Sequence, residues 1–200
     1  VFGLFQTGYL YSRSKHMDIR NYVSGNSGST NVLRVMGKKA GLIVFLGDAG
    51  KMIAACLITR VLFRSQPELL YVYLLYTGFG VILGHNFPFY MGFKGGKGIA
   101  ASAGLLVSTD WRVMLVCLVV FVAAVAITRY VSLGSILVMI CFFIGMVFFG
   151  ARGDFGIAAA HLTEFYVLAG LISAMGIWRH HTNIKRLLSG TENKLGARKE

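Results

Sequence analysis

The sequence predicts an all-α integral membrane protein, a compact bundle of about seven transmembrane helices, some short and the first truncated. Three observations carry that prediction. Hydrophobic residues make up 56% of the 200-residue chain, above the roughly 45–50% usual in soluble domains, and mean hydropathy is +0.65. Charged residues are only 14%, against about 25% in an average soluble domain. The apolar residues are also gathered into runs separated by short polar, basic stretches, the pattern of successive membrane spans.

The runs are Val1–Leu10, Ala40–Phe63, Leu69–Gly84, Gly98–Thr109, Val113–Ile127, Leu133–Phe149 and Leu162–Trp178. The first has no basic flank and no small-residue cleavage site. It is read as the remainder of a spanning helix and not as a signal peptide. A helix needs about 20 residues to cross the bilayer. Ala40–Phe63 exceeds that, and Leu69–Gly84 and the last two runs come close. Gly98–Thr109 covers only about 18 Å as a helix, so it and Val113–Ile127 are two short spans or a re-entrant pair. No internal repeat or low-complexity linker divides the chain, which is read as one membrane-embedded domain over residues 1–200, with 179–200 a basic cytoplasmic tail.

Letting the runs cross alternately sorts the loops into two sets. Residues 11–39, 85–97, 128–132 and 179–200 carry fifteen Lys and Arg; residues 64–68, 110–112 and 150–161 carry three. The positive-inside bias assigns the first set to the cytoplasm. The formal net charge of +12 would suggest nucleic acid in a soluble protein. Here the cations lie between apolar runs, where they meet anionic lipid or phosphate, and no nucleic-acid partner is expected. Cys56, Cys117 and Cys141 all lie inside apolar runs without paired spacing, so neither a disulfide framework nor a metal site is inferred.

Four polar clusters fall on the basic side. Ser24-Gly25-Asn26-Ser27-Gly28-Ser29-Thr30-Asn31 followed by Arg34 is dense in small hydroxyls, amides and glycines. Glycines let backbone N–H groups converge on an anion, and Arg34 adds a bidentate fork. The plainer alternative is a flexible, capped loop. Phe93-Lys94-Gly95-Gly96-Lys97-Gly98, after Gly84-His85-Asn86-Phe87-Pro88, sets two lysines around a glycine pair before a helix start, again suited to phosphate. It is not a Walker loop, because Met91 and Gly98 stand where glycine and Ser or Thr are needed. Interfacial lysines at a turn are the alternative. Ser132 and Ser135 lie one helical turn apart, fit either to line a site or to pack helices. In Trp178-Arg179-His180-His181-Thr182-Asn183, His180 and Asn183 share a face if the last helix continues. A lipid-bound basic tail accounts for Lys185 and Arg186 but not for that pair. Asp48 and Lys51, at i and i+3 within an apolar run, are read as a paired scaffold.

Taken together, SGNSGSTN with VLRVMGKKAG, GHNFP with FKGGKG, RYVSLGS and RHHTNIKRLL resemble the motifs of the bacterial acyl-phosphate-dependent glycerol-3-phosphate acyltransferases, the PlsY family. The resemblance runs from about Tyr9 to Gly190. It implies a seven-helix membrane enzyme of the bacterial inner membrane. Its active site would face the cytoplasm, and it would move an acyl group from acyl phosphate to glycerol-3-phosphate without a cofactor. Membrane lipid, and a soluble enzyme that makes acyl phosphate, are the implied partners. Ser24, Gly25, Asn26, Thr30, Asn31, Arg34, Lys94, Gly95, Gly96, Ser132 and Ser135 would bind substrate. His180, Asn183 and Lys97 would be catalytic. No His-x4-Asp, the mark of CoA-dependent acyltransferases, occurs. Val23 departs from the family, which has a small residue there. The alternative function is a transporter of phosphate or an organophosphate, although such proteins place their site near the midplane on broken helices, often with internal repeats.

Overall fold

The computed structural model describes residues 1–196. Nine α-helices are present among them: α1 (Thr7–Arg13), α2 (Ser29–Met36), α3 (Lys38–Leu62), α4 (Leu70–Asn86), α5 (Ile99–Thr109), α6 (Trp111–Thr128), α7 (Val131–Ala151), α8 (Ala159–Trp178) and α9 (His181–Leu188). Helices α3, α6, α7 and α8 are long and apolar enough to cross a membrane. At 17 residues, α4 spans about 26 Å, close to the hydrocarbon thickness.

The bundle is built for lipid on its outside. Of the 18 residues of α6 only Val113, Cys117 and Ala124 are buried, while Leu115, Val116, Leu118, Val119 and Val122 are exposed. An apolar outer surface is the stable arrangement in hydrocarbon, where helices satisfy their own backbone groups. Met52, Leu75, Ile82, Leu105, Met139 and Phe165 form the interior.

Chain breaks follow local chemistry. Gly37, at φ 87°, separates α2 from α3, a left-handed conformation cheap only for glycine. Asp110 caps α6 by accepting from the amides of Arg112 (2.9 Å) and Val113 (3.1 Å). The short run after Gly98 is an 11-residue helix, α5, with seven buried residues. It is followed directly by the full-length α6, so the two are not an equal pair.

The first apolar run is not one continuous helix. A 3₁₀ turn, Phe2–Leu4, precedes α1. Between them Gln6 is completely buried and donates to the carbonyls of His85 (2.9 Å) and Gly3 (3.2 Å). A polar side chain at this position is satisfied by tying the segment to the end of α4, and that tie interrupts the helix.

Candidate active site

Asn31 organises the first loop. It is buried, its amide nitrogen donates to the carbonyls of Ile19, Tyr22 and Asn26 at 2.9–3.1 Å, and its oxygen accepts from the Ser24 amide at 3.2 Å. Asn26 accepts from the Gly28 amide (2.8 Å) and donates to the Gly95 carbonyl (3.4 Å). Both amides expected to hold a ligand are therefore spent on shaping the loop, although both also line the cavity. Gly25, at φ 66°, makes the turn and stays outside the cavity. What remains for a ligand is the first turn of α2, whose leading N–H groups have no partner within the helix, and the hydroxyls of Ser24, Ser29 and Thr30. Arg34 adds its guanidinium, with one nitrogen on the Asn193 carbonyl (3.1 Å) and a buried, unpartnered Nε.

The second loop is laid over the end of α4. The amides of Gly95 and Gly96 donate to the carbonyls of Asn86 and His85, both at 3.1 Å. From the other side Arg179 donates to the carbonyls of Gly95 (3.2 Å) and Gly96 (2.8 Å). These contacts turn Lys97 inward, where its ammonium donates to the side-chain oxygen of Asn183. Burial, reinforced by Arg186, Arg179 and Arg34 and opposed by Glu192, pushes Lys97 down to about 8. Gly95 and Gly96 shape this loop and do not line the cavity, and Lys94 is exposed outside it. From α7, Ser132 presents a buried, unpartnered hydroxyl, whereas that of Ser135 donates back to the Val131 carbonyl (2.8 Å).

The last helix does not continue through the histidine pair. It stops at Trp178, and α9 starts at His181 after a turn. His180 and Asn183 are nevertheless both buried and both line the cavity. The Nδ1 of His180 lies 2.7 Å from the Gly176 carbonyl. A carbonyl only accepts, so Nδ1 carries the proton and Nε2 is left as an acceptor. Burial, together with Lys97, pushes His180 down to about 4, so the ring is neutral at ordinary pH.

Beyond α9 the chain folds back over the site. Glu192 is buried, accepts from Asn183 Nδ2 at 2.9 Å and pairs with Arg186 at 2.8 Å. The amide of Leu195 donates to the Arg129 carbonyl (2.7 Å). Sequence reasoning did not name Glu192, Arg179, Lys38, Ser29 or His85 among the site residues and read Asp48 as scaffold, whereas Glu192, Lys38, Ser29, Asp48 and His85 line the cavity. The sequence signal for Glu192 is that it is the sole acid between Glu164 and the final residue.

These groups surround a cavity of about 400 Å³. Arg34, Lys38, Lys97, His180 and Asn183 form its polar end. Leu42, Phe45, Phe121 and Val125 form an apolar side. Leu42 and Phe45 are also 56% and 39% exposed on the outside of the bundle, so the cavity opens sideways toward lipid. Helices α3, α5 and α7 start at the cavity, and α4, α6 and α8 return to it. The four sequence clusters thus meet at one end of the bundle.

Fold and cavity together define a helical integral membrane protein whose cationic pocket adjoins a lipid-facing apolar wall. The profile of the glycerol-3-phosphate acyltransferase family matches residues 1–190. The chain is 41% identical to the glycerol-3-phosphate acyltransferase of Clostridioides difficile (strain 630), covering 100% of this chain and 93% of the relative. It is 36% identical to that of Thermoanaerobacter sp. (strain X514), over the same shares. Its fold matches the crystal structure of PlsY (YgiH), an integral membrane glycerol 3-phosphate acyltransferase, in the glycerol 3-phosphate form. That match has a TM-score of 0.84 and 35% identity, and covers 98% of this chain and 90% of the other. The lysophosphatidic acid form of PlsY matches with a TM-score of 0.80 at 34% identity, over the same shares. The chain belongs to the glycerol-3-phosphate acyltransferase family, whose activity serves phospholipid biosynthesis.

Proposed function

We propose that this acyltransferase takes its acyl group from acyl phosphate and delivers it to the sn-1 hydroxyl of glycerol-3-phosphate, releasing 1-acyl-glycerol-3-phosphate and phosphate. The observation that carries the reading is the joining of two environments in one cavity. Arg34, Lys97 and the first turn of α2 supply the positive end for phosphate groups, and Leu42, Phe45, Phe121 and Val125 line the path by which an acyl chain enters from the membrane.

In the reaction the hydroxyl oxygen bonds the acyl carbon and the bond from that carbon to the phosphate oxygen breaks. The electron pair leaves with phosphate, and the hydroxyl proton ends there directly or by way of His180 Nε2. Acyl phosphate is already activated, so the protein's part is positioning and charge stabilisation. Lys97 and Arg34 offset the repulsion of two phosphates. Asn183, held between Lys97 and Glu192, fixes the ammonium and orients the hydroxyl. Ser24, Thr30 and Ser132 add neutral donors, and Gly25, Asn26, Asn31, Gly95, Gly96 and Ser135 keep the loops in shape. Lys94 serves as an outer charge that attracts anions.

The loops with most of the Lys and Arg are the ones at the cavity end, and the positive-inside bias supports a site on the cytoplasmic face of a bacterial inner membrane. A soluble enzyme that makes acyl phosphate is the natural supplier there. The chain acts as a single domain, with the segment that carries Glu192 and Leu195 covering the cavity at this end. Purified protein given acyl phosphate and glycerol-3-phosphate in the presence of a chelator should form acylated product and phosphate in equal amounts. Full turnover with acyl-CoA alone, or abolition by the chelator, overturns the donor assignment.

A further inference from the structure

At the inner wall of the cavity, where Asp48 and His85 line it, polar groups reach into the helices. Asp48 and Lys51 of α3 and His85 of α4 are 1%, 7% and 3% exposed. Lys51 Nζ contacts Asp48 Oδ1 at 2.9 Å, the Phe5 carbonyl at 2.5 Å and His85 Nδ1 at 2.8 Å. Thr7 donates to the same Asp48 oxygen at 2.9 Å. Charges among membrane helices are costly, and a buried ion pair by itself is weak evidence of a stabilising role. The network calls for another use.

Its geometry supplies one. An ammonium only donates, so His85 Nδ1 must accept, and the ring is neutral with its proton on Nε2. That fixes the ring's direction as well as its tautomer. The ring tip lies against Gly96. A Cβ built on Gly96 would overlap Nε2, with Cε1 and Cδ2 at 2.8 and 2.9 Å. On its other side the Gly96 carbonyl is held by Arg179 at 2.8 Å. The peptide just before Lys97 is therefore clamped between a guanidinium and an imidazole, and the imidazole is itself fixed by an ion pair.

We propose that Asp48, Lys51 and His85 form a buried positioning network that sets Lys97 by holding the His85 ring against Gly96. This inference rests on the reading of Lys97 as a catalytic group. His85 touches no reacting atom in it and acts through the loop. The network links α1, α3 and α4 to Lys97, the cation in contact with Asn183.

The test is a steric exchange. Gly96→Ala alone should lower kcat with glycerol-3-phosphate by about ten- to a hundred-fold, because the new methyl group overpacks the ring. His85→Asn keeps an acceptor for Lys51 but removes the ring tip, and should cost about three- to ten-fold. The double variant should recover most of what Gly96→Ala loses. A purely structural role for His85 predicts that the two losses multiply. In a Lys97→Ala background, adding His85→Asn should change kcat less than about two-fold, since its target is gone. Near-normal kcat in Lys97→Ala alone sinks the reading of Lys97 before His85 is touched. A large loss there, with no relief of Gly96→Ala by His85→Asn, overturns the positioning network only. If Gly96→Ala does not fold, the comparison of His85→Asn with and without Lys97 decides, and equal losses in both backgrounds overturn the inference.

Discussion

The Lys97 ammonium donates a hydrogen bond to the side-chain oxygen of Asn183, joining the second loop to the C-terminal helix across 86 residues of sequence. The other side of the Asn183 amide is held by Glu192 at 2.9 Å. The amide therefore cannot rotate: its oxygen faces a cation and its nitrogen an anion.

That arrangement predicts how Asn183 variants behave. Asn183→Ala should lower kcat by about ten- to a hundred-fold with a smaller change in KM for glycerol-3-phosphate, because orientation acts chiefly in the transition state. Asn183→Asp should be at least as harmful, since it sets a carboxylate beside Glu192 and two phosphates. His180→Ala combined with Asn183→Ala should be far less than additive if the pair acts as a unit. Steady-state kinetics with both substrates varied read all of this, and near-normal kcat in Asn183→Ala removes the residue from the mechanism.

The pH profile follows from two displaced groups. Lys97, pushed down to about 8, is cationic below that value and neutral above it. The kcat/KM for glycerol-3-phosphate should therefore fall as pH rises through about 8. Bound phosphates favour the ammonium, so the limb in kcat should lie higher. His180, at about 4, stays neutral above that value and should add no acid limb between pH 5 and 7. Lys97→Arg should remove the alkaline limb, and a limb that persists in that variant belongs to another group.

Charge inside and outside the cavity should separate cleanly. Arg34→Ala removes a charge-assisted contact contributing roughly 1.5–3 kcal/mol, so kcat/KM should fall about ten- to a hundred-fold. Lys94→Ala and Lys185→Ala, both exposed and outside the cavity, should fall less than about three-fold. Equal effects of all three would reduce the basic loops to lipid anchors.

Val23 sits at φ 48° and is 48% exposed. A β-branched residue in the left-handed region is strained by about 1–2 kcal/mol. Val23→Gly should therefore raise the unfolding midpoint of the detergent-purified protein while leaving its helical content unchanged. An unchanged or lower midpoint would show that the turn is not strained.

Orientation is testable in cells. In a background without Cys56, Cys117 and Cys141, Lys94→Cys and Ser189→Cys should be shielded from an impermeant thiol reagent. Glu68→Cys, at the opposite end, should react. Labelling of the first two in intact cells contradicts a cytoplasmic site.

The alternation of spans and the gathering of four polar clusters were legible in the sequence because hydropathy and charge are properties of short segments. The division of labour inside those clusters was not. Asn26 and Asn31 have the composition of anion ligands, yet their amides are spent on carbonyls up to 69 residues away, and only the folded loop shows that. Arg179 looked like part of a basic tail until Gly95 and Gly96, more than 80 residues upstream, met its guanidinium. The broken first run had a local sign in Gln6, a polar residue among apolar ones. Its partners at His85 and Ser27 were beyond the reach of periodicity.

The sideways opening at Leu42 and Phe45 means that the two substrates are drawn from phases of different dimension. Glycerol-3-phosphate arrives from a volume, whereas an acyl-bearing substrate arrives from a sheet. For the second, moles per litre do not describe what the enzyme meets; the mole fraction among surrounding lipids does. Adding inert lipid at fixed total donor should slow the reaction by surface dilution, with the soluble substrate's saturation curve unmoved.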